Sequence, residues 1–162
     1  MARNSLGDCY RLGKGIHKNE TKAFEWYLKS AVTGCALGQC NLGNCYYYGK
    51  GINKDEIKAF KWYLKAVKRE NLMAQNNLGN CYRLDKGIDI DQTEAFKWYL
   101  KSAIVGCAQG QSAKRENSTA QNSLGNCYRL GKGIDKDETE AFKWYLKLAI
   151  AGCTQGQCTA IT

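Results

Sequence analysis

The chain repeats itself. "NSLGDCYRLGKGI", "CNLGNCYYYGKGI", "NNLGNCYRLDKGI" and "NSLGNCYRLGKGI" occur once each, and each is followed by a near-copy of "EAFKWYLK". The tryptophans mark the period: Trp26, Trp62 and Trp98 stand 36 residues apart, and Trp144 follows 46 residues after Trp98. A unit of this length holds two helix-sized segments and is too small to bury an apolar face by itself. Neighbouring units must stack, which restricts the chain to an all-α, α/α solenoid of four helix-turn-helix repeats. The repeats read as 1–34, 37–70, 73–106 and 119–152, with an irregular spacer at 107–118 and a truncated tail at 153–162.

Within a unit the helices follow from local chemistry. In helix A of the third repeat, Met73, Leu78, Cys81 and Tyr82 share one side at helical spacing. Gly79 costs a helix about 1 kcal/mol relative to Ala, so its presence predicts a close helix approach. Gly87 is expected to end helix A in the left-handed conformation, as are Gly15, Gly51 and Gly133. Helix B then opens on the N-cap Asp91, with Glu94 at capping-box spacing. Asp137 and Glu140 repeat that pair, whereas Asp55 and Asn19 precede Lys58 and Lys22. Ala95, Trp98, Tyr99 and Ser102 or Ala103 form the expected buried stripe, with Lys97 and Lys101 on the solvent side. Asp85 stands where the other repeats have the first glycine of "GKG".

Composition bounds the function. At 162 residues, with 44% hydrophobic and 11% aromatic residues, the chain is a folded domain with one core. Its 24 basic against 15 acidic residues give a charge of +9, which favours acidic partners. The N-terminus has no apolar run of signal-peptide length and no stretch could span a bilayer, so a cytoplasmic protein without membrane insertion is expected. The nine cysteines are odd in number, and Cys9, Cys45, Cys81 and Cys127 sit in "LG-x-CY" beside the apolar stripe. They are expected to be reduced, half-buried thiols rather than a disulfide framework. There is no CxxC, and the single histidine, His17, lies in a turn, so no metal is expected. No nucleophile with its base and no paired carboxylates converge, and "GKG" lacks phosphate-loop spacing. The chain therefore reads as non-enzymatic, with no cofactor and no small-molecule substrate.

Taken together, L-G-x-C-Y-x-x-G-K-G-I, the Asp cap and A-F-K-W-Y-L-K resemble the Sel-one-like repeat, a branch of the tetratricopeptide-type α/α solenoids. The likeness covers nearly the whole chain, four times over. It implies a right-handed solenoid acting as a protein–protein interaction scaffold or adaptor. Leu78, Gly79 and Tyr82 of helix A and Ala95, Trp98 and Tyr99 of helix B fall at the family's packing positions. Two features depart from the pattern: Phe24, Phe60, Phe96 and Phe142 enlarge the helix B stripe, and the paired-cysteine spacing of secreted bacterial members is not reproduced.

By similarity to the tetratricopeptide groove, the helix A positions flanking Leu-Gly face a concave side. They are Asn4, Asp8 and Arg11; Cys40, Asn44 and Tyr47; Asn76, Asn80 and Arg83; and Asn122, Asn126 and Arg129. The i, i+4, i+7 spacing puts each set on one helical face. Asn amides both donate and accept, which suits an extended peptide backbone, and Arg can bind a carboxylate bidentately. The expected partner is thus an acidic or extended peptide segment of another protein. The bland alternative is a set of solvated polar residues kept by duplication of near-identical units. A second reading makes the chain a fragment of a larger signalling or quality-control scaffold, since such arrays accompany kinase domains in fungal relatives. Its ends lack capping units and are open to self-association. Nucleic-acid binding is disfavoured, because the lysines spread along helix B and the turns while most tyrosines occupy packing positions.

"SAIVGCAQGQSAKRENSTAQ", Ser102 to Gln121, interrupts the period. Gly110-Gln111-Ser112 matches Gly38-Gln39-Cys40, and the chain then moves to residues matching the end of a helix B. It reads as the remnant of a fifth repeat. Ten extra helical residues would turn the next apolar stripe by roughly −80°, so an exposed loop with room for one helical turn is expected. That loop would break the groove between Arg83 and Asn122.

Overall fold

A computed structural model describes residues 2–84, 86–87, 89–108 and 114–153. Among them, all regular structure is helical: α1 (Ala2–Leu12), α2 (Glu20–Val32), α3 (Ala36–Tyr48), α4 (Glu56–Val67), α5 (Leu72–Leu84), α6 (Gln92–Ala108), α7 (Lys114–Leu130) and α8 (Glu138–Cys153). Odd-numbered helices are the A helices and even-numbered ones the B helices. The chain forms an α/α solenoid in two compact units, Met1–Ile90 with α1–α5 and Asp91–Thr162 with α6–α8. In each unit the main packing is between chain neighbours, α1 on α2 through α4 on α5, and α6 on α7 on α8. Asp85, and the tail beyond Cys153, lie outside the described residues.

The B helices start where their caps require. Asn19, Asp55, Asp91 and Asp137 each accept from the backbone N–H three residues on, at 2.8–2.9 Å. The reciprocal half of a capping box is not made. Glu94 and Glu140 pair instead with Lys97 and Lys143. The cap N–H groups of Asn19, Asp55 and Asp137 donate to the carbonyls of Tyr10, Tyr46 and Tyr128, which satisfies them and ties each helix B to its helix A.

The A helices end two residues earlier than the sequence pattern suggests. The left-handed residue that terminates α3 is Gly49, with φ 69°, and the Lys50 N–H closes on the Cys45 carbonyl at 2.9 Å. Gly13 and Gly131 take the same conformation, and Lys14 and Lys132 close on Cys9 and Cys127. Gly51, Gly87 and Gly133 also have positive φ but serve a different purpose. There the loop crosses the start of the preceding helix B, and a Cβ would strike the backbone carbonyls of Glu20, Glu56 and Gln92.

Core packing pairs a helix A glycine with a helix B tyrosine ring. A Cβ on Gly7 would lie 2.6 Å from Tyr27 Cε1, and one on Gly43 would lie 2.5 Å from Tyr63 Cε1; Gly125 faces Tyr145 in the same way. Gly79 is buried, consistent with the close approach expected of it. Leu42 and Cys45 bury against Ala23, Tyr27 and Ala31 of the preceding helix B, with Phe24, Leu28, Tyr46 and Trp62 around them. Ala95, Tyr99, Ser102 and Ala103 are buried as expected. Trp98 is only half-buried, with Lys101 Nζ 5.4 Å from its ring centroid, and Trp26, Trp62 and Trp144 each carry a lysine likewise.

The interruption at 107–118 is helical wherever it is described: 107–108 complete α6 and 114–118 open α7. The residues between them, 109–113, where the loop is expected, lie outside the described residues. The segment Lys114–Glu116 consists of good helix formers with no glycine or proline, so it extends α7 to 17 residues against the 13 of α3 and α5.

Candidate functional site

Helices α1, α3 and α7 each present an Asx residue one turn before an Arg or Tyr, and the tyrosine of the following helix B donates to it. Asp8 Oδ1 accepts from Tyr27 Oη at 2.9 Å and from Arg11 Nη2 at 3.0 Å, while Asn4 Nδ2 donates to Asp8 Oδ2 at 3.1 Å. In the second repeat Asn44 Oδ1 accepts from Tyr63 Oη at 2.8 Å and from Asn77 Nδ2 at 3.0 Å. In the fourth, Asn126 Oδ1 accepts from Tyr145 Oη and from Arg129 Nη2, both at 3.1 Å. Sequence reasoning missed this tyrosine link. Its signal was a constant separation of 19 residues between the Asx and the Tyr.

An amide ladder does exist in the first unit, but part of it is internal. Asn41 Nδ2 donates to Asn4 Oδ1 at 2.9 Å, and Asn77 links α5 to Asn44 on α3. Asn41 and Asn77 are therefore rungs that the i, i+4, i+7 pattern passed over. Of the residues placed on the groove, Asn4, Cys40 and Asn76 are buried. Asp8, Asn44, Tyr47, Asn80, Arg83 and Asn126 are half-buried, and Arg11, Asn122 and Arg129 are exposed. In α7 the last three of that pattern share one face: Asn126 Nδ2 donates to the Asn122 carbonyl and its Oδ1 holds Arg129.

The electrostatics of the repeats differ. Burial, then the hydrogen bond with Asp8, pushes the Tyr27 hydroxyl well above its ordinary pKa. Burial does the same to Tyr63 and, more mildly, to Tyr47. All three are neutral near pH 7, and Tyr27 and Tyr63 donate to Asp8 and Asn44. Arg11 forms an ion pair with Asp8. Arg129 has only the Asn126 amide, and no carboxylate lies within ion-pair distance of it among the described residues.

Other chemistry is sparse. Cys9, Cys35, Cys40, Cys45, Cys81 and Cys127 are reduced thiols, and burial pushes Cys45 up to about 11 and Cys81 up to about 12. At Cys35 burial is outweighed by hydrogen bonds from the Gly38 and Leu37 backbone and the Ser30 side chain, and its pKa falls below the ordinary thiol value. Among the described residues no cluster of His, Cys, Asp and Glu could hold a metal ion. No helix among them is long and apolar enough to cross a membrane.

The Sel1 repeat family model matches residues 1–31, 36–71, 72–106 and 118–153. The last match resumes at Ser118, leaving out the interruption. A Sel1 repeat protein from Oxalobacter formigenes is similar in structure at TM-score 0.82 and 32% identity, over 93% of this chain and 57% of that one. A protective antigen of uropathogenic Escherichia coli strains with an SLR fold is similar at TM-score 0.79 and 28% identity, over 93% of this chain and 30% of that one. The chain thus spans less than two thirds of either protein. No curated protein matches it. Sel1 repeat proteins are generally protein-interaction scaffolds and typically non-catalytic. With four matched repeats that cover most of its length and solved structures of that fold similar to it, the chain belongs to the Sel1 repeat family.

Proposed function

We propose that the chain is a protein-binding adaptor whose A-helix faces take an acidic, extended peptide segment of a partner. The observation that carries this reading is the α7 face, where exposed Arg129 is oriented by an amide and keeps its full charge. Exposed Asn122 on the same face supplies an amide for the peptide backbone. A guanidinium already held in place by one hydrogen bond costs little further ordering when a carboxylate arrives at its other N–H groups. The net charge of +9 adds long-range attraction for an acidic segment. The first unit offers a milder version of this face, since Arg11 is already neutralised by Asp8 and the second repeat replaces Arg by Tyr47.

The test is calorimetry with a Glu-rich extended peptide and its Gln counterpart. The Glu peptide should bind roughly tenfold more tightly, and Arg129→Ala should remove most of the difference. Equal affinity for the two peptides, or indifference to Arg129→Ala, would refute the reading.

A further inference from the structure

Of the four B helices, α4 has an outer face unlike the others. At roughly 100° per residue, Lys58, Lys61, Lys65 and Lys68 fall within about 80° of one another, and Ile57 borders them. All five side chains are exposed. The matching positions in α2 are Lys22, Glu25, Lys29 and Val32, bordered by Thr21. In α6 they are Glu94, Lys97, Lys101 and Ile104, bordered by Thr93, and α8 repeats the α6 pattern. The four positions therefore carry a charge of +4 on α4 and +1 on each of the other B helices.

The charge on α4 is also open. In α6 and α8, Glu94 and Glu140 hold Lys97 and Lys143 at 2.7 and 2.6 Å. On α4 the residue three before Lys61 is Lys58, which takes the cap carboxylate of Asp55 at 3.0 Å. Glu56 is held by Lys54 and Lys86, and Glu70 follows beyond the helix. Among the described residues no carboxylate lies within ion-pair distance of Lys61, Lys65 or Lys68. Arg69 extends the stripe past the end of α4. Its guanidinium lies 3.0 Å from the place a Cβ on Gly34 would take, in the turn between Val32 and Leu37. Apolar groups stand at both ends of the stripe, where Ile57 is 56% exposed and Val32 68%. Because α4 packs on α3 and α5, this face is bounded by the chain's own helices.

We infer that the outer face of α4 docks on an anionic membrane surface, with its lysines among the headgroups and Ile57 at their edge. Three observations choose a lipid surface over other polyanions. Lysines are flexible point charges that suit a diffuse anionic layer, whereas bidentate recognition of one phosphate or carboxylate calls for Arg. The Trp62 indole is half-buried and covered by Lys65, whose Nζ is 4.1 Å from the ring centroid, so it offers no open platform on which a nucleic-acid base stacks. Finally, α4 contains no Asn or Gln, so the face has no side-chain amide for the backbone of an acidic peptide. From 58 to 68 the stripe is about 15 Å long, and a flat surface meets all four ammonium groups together. The contact is peripheral and involves none of the residues of the α7 face.

Co-sedimentation of the full 162-residue chain with vesicles tests this. Vesicles of phosphatidylcholine with roughly one-third phosphatidylserine should bind the chain, and vesicles of phosphatidylcholine alone should not. Lys61→Gln with Lys68→Gln should weaken binding roughly twentyfold, at about fivefold for each charge. Lys97→Gln with Lys101→Gln removes the same net charge from α6 and should weaken it by less than about threefold. Ile57→Thr, which installs the residue of the other three repeats, should weaken it about twofold to threefold. All of these change exposed side chains, and circular dichroism checks that each variant folds. No binding to the phosphatidylserine vesicles overturns the inference. An equal loss from the two lysine pairs overturns it too, by reducing the effect to net charge. So does tighter binding of a single-stranded oligonucleotide or a Glu-rich peptide than of vesicles, lost with Lys61→Gln and Lys68→Gln, which would give the face a different occupant.

Discussion

The first and fourth repeats build the same three-residue cluster with different charge. Asp8, Arg11 and Tyr27 match Asn126, Arg129 and Tyr145 in spacing and in the hydrogen bonds that tyrosine and arginine donate to the Asx oxygen, with distances of 2.9–3.1 Å. The tyrosine and arginine geometry therefore does not need a carboxylate. What the carboxylate changes is the surroundings. Asp8 cancels Arg11 and raises the buried Tyr27, whereas Asn126 leaves Arg129 charged above a half-buried Tyr145. The Asx–Tyr bond is common to the first, second and fourth repeats, and under the proposed function ligand preference would be set by which Asx stands there and by the Arg or Tyr three residues later.

The largest test of this contrast is at the glycines beneath the rings. Gly7→Ala should destabilise the first unit by about 2–3 kcal/mol, because the buried Tyr27 ring has nowhere to go. Gly125→Ala should cost about 1 kcal/mol less, since the half-buried Tyr145 can shift outward. Urea unfolding of the two variants gives the difference; equal losses would mean the two repeats are packed alike.

A smaller effect is expected at the acceptors. Asp8→Ala should cost about 1.5–2 kcal/mol, since it removes charge-assisted hydrogen bonds and leaves the Tyr27 hydroxyl without an acceptor. Asn126→Ala removes neutral–amide bonds at a more exposed site and should cost about 0.5–1 kcal/mol. Thermal melts in matched buffers measure both.

Tyr27 carries the part of the alkaline pH dependence that Asp8 controls, beside the buried Tyr63, Cys45 and Cys81, which the wild type and Asp8→Asn share. Its folded pKa is raised, so the folded state holds the proton more tightly than the unfolded chain does. The stabilisation is whole below the unfolded value of about 10 and is lost progressively as pH climbs from there through the folded pKa. Asp8→Asn takes away part of the shift, so its alkaline loss should be shallower than that of the wild type. Chemical denaturation at pH 8 and at pH values above 10 would show it; parallel losses in both proteins would contradict the assigned cause.

The smallest effect is on binding. Asn126→Asp should weaken a Glu-rich peptide by about threefold to fivefold, and Asp8→Asn should strengthen it by less, as befits exposed charges partly screened by solvent. Anisotropy titrations at two salt concentrations would resolve both changes, and a reversed order would break the charge account.

Much of this fold was legible because it is local. The caps Asn19, Asp55, Asp91 and Asp137 act on N–H groups three residues away, and the stripe Ala95, Tyr99, Ser102 and Ala103 arises from helical period alone. The turn glycines were read less well. Gly49 and Gly51 both have positive φ, and only the neighbouring Glu20 carbonyl distinguishes the helix terminator from the crossing point. The candidate face suffered most from the same limit. Asn4, Cys40 and Asn76 lie on the chosen helical face, yet all three are buried, Asn4 and Cys40 under the next helix A. A single-helix pattern carries no information about the neighbour that does the covering.

The most direct test of the α7 face is a two-dimensional NMR titration of the labelled chain with a Glu-rich extended peptide. Saturable shifts should cluster on Asn122, Asn126 and Arg129 and vanish in Arg129→Ala. Shifts confined to Lys143, Trp144 and Lys147 on α8, or shifts unchanged by Arg129→Ala, would contradict the account.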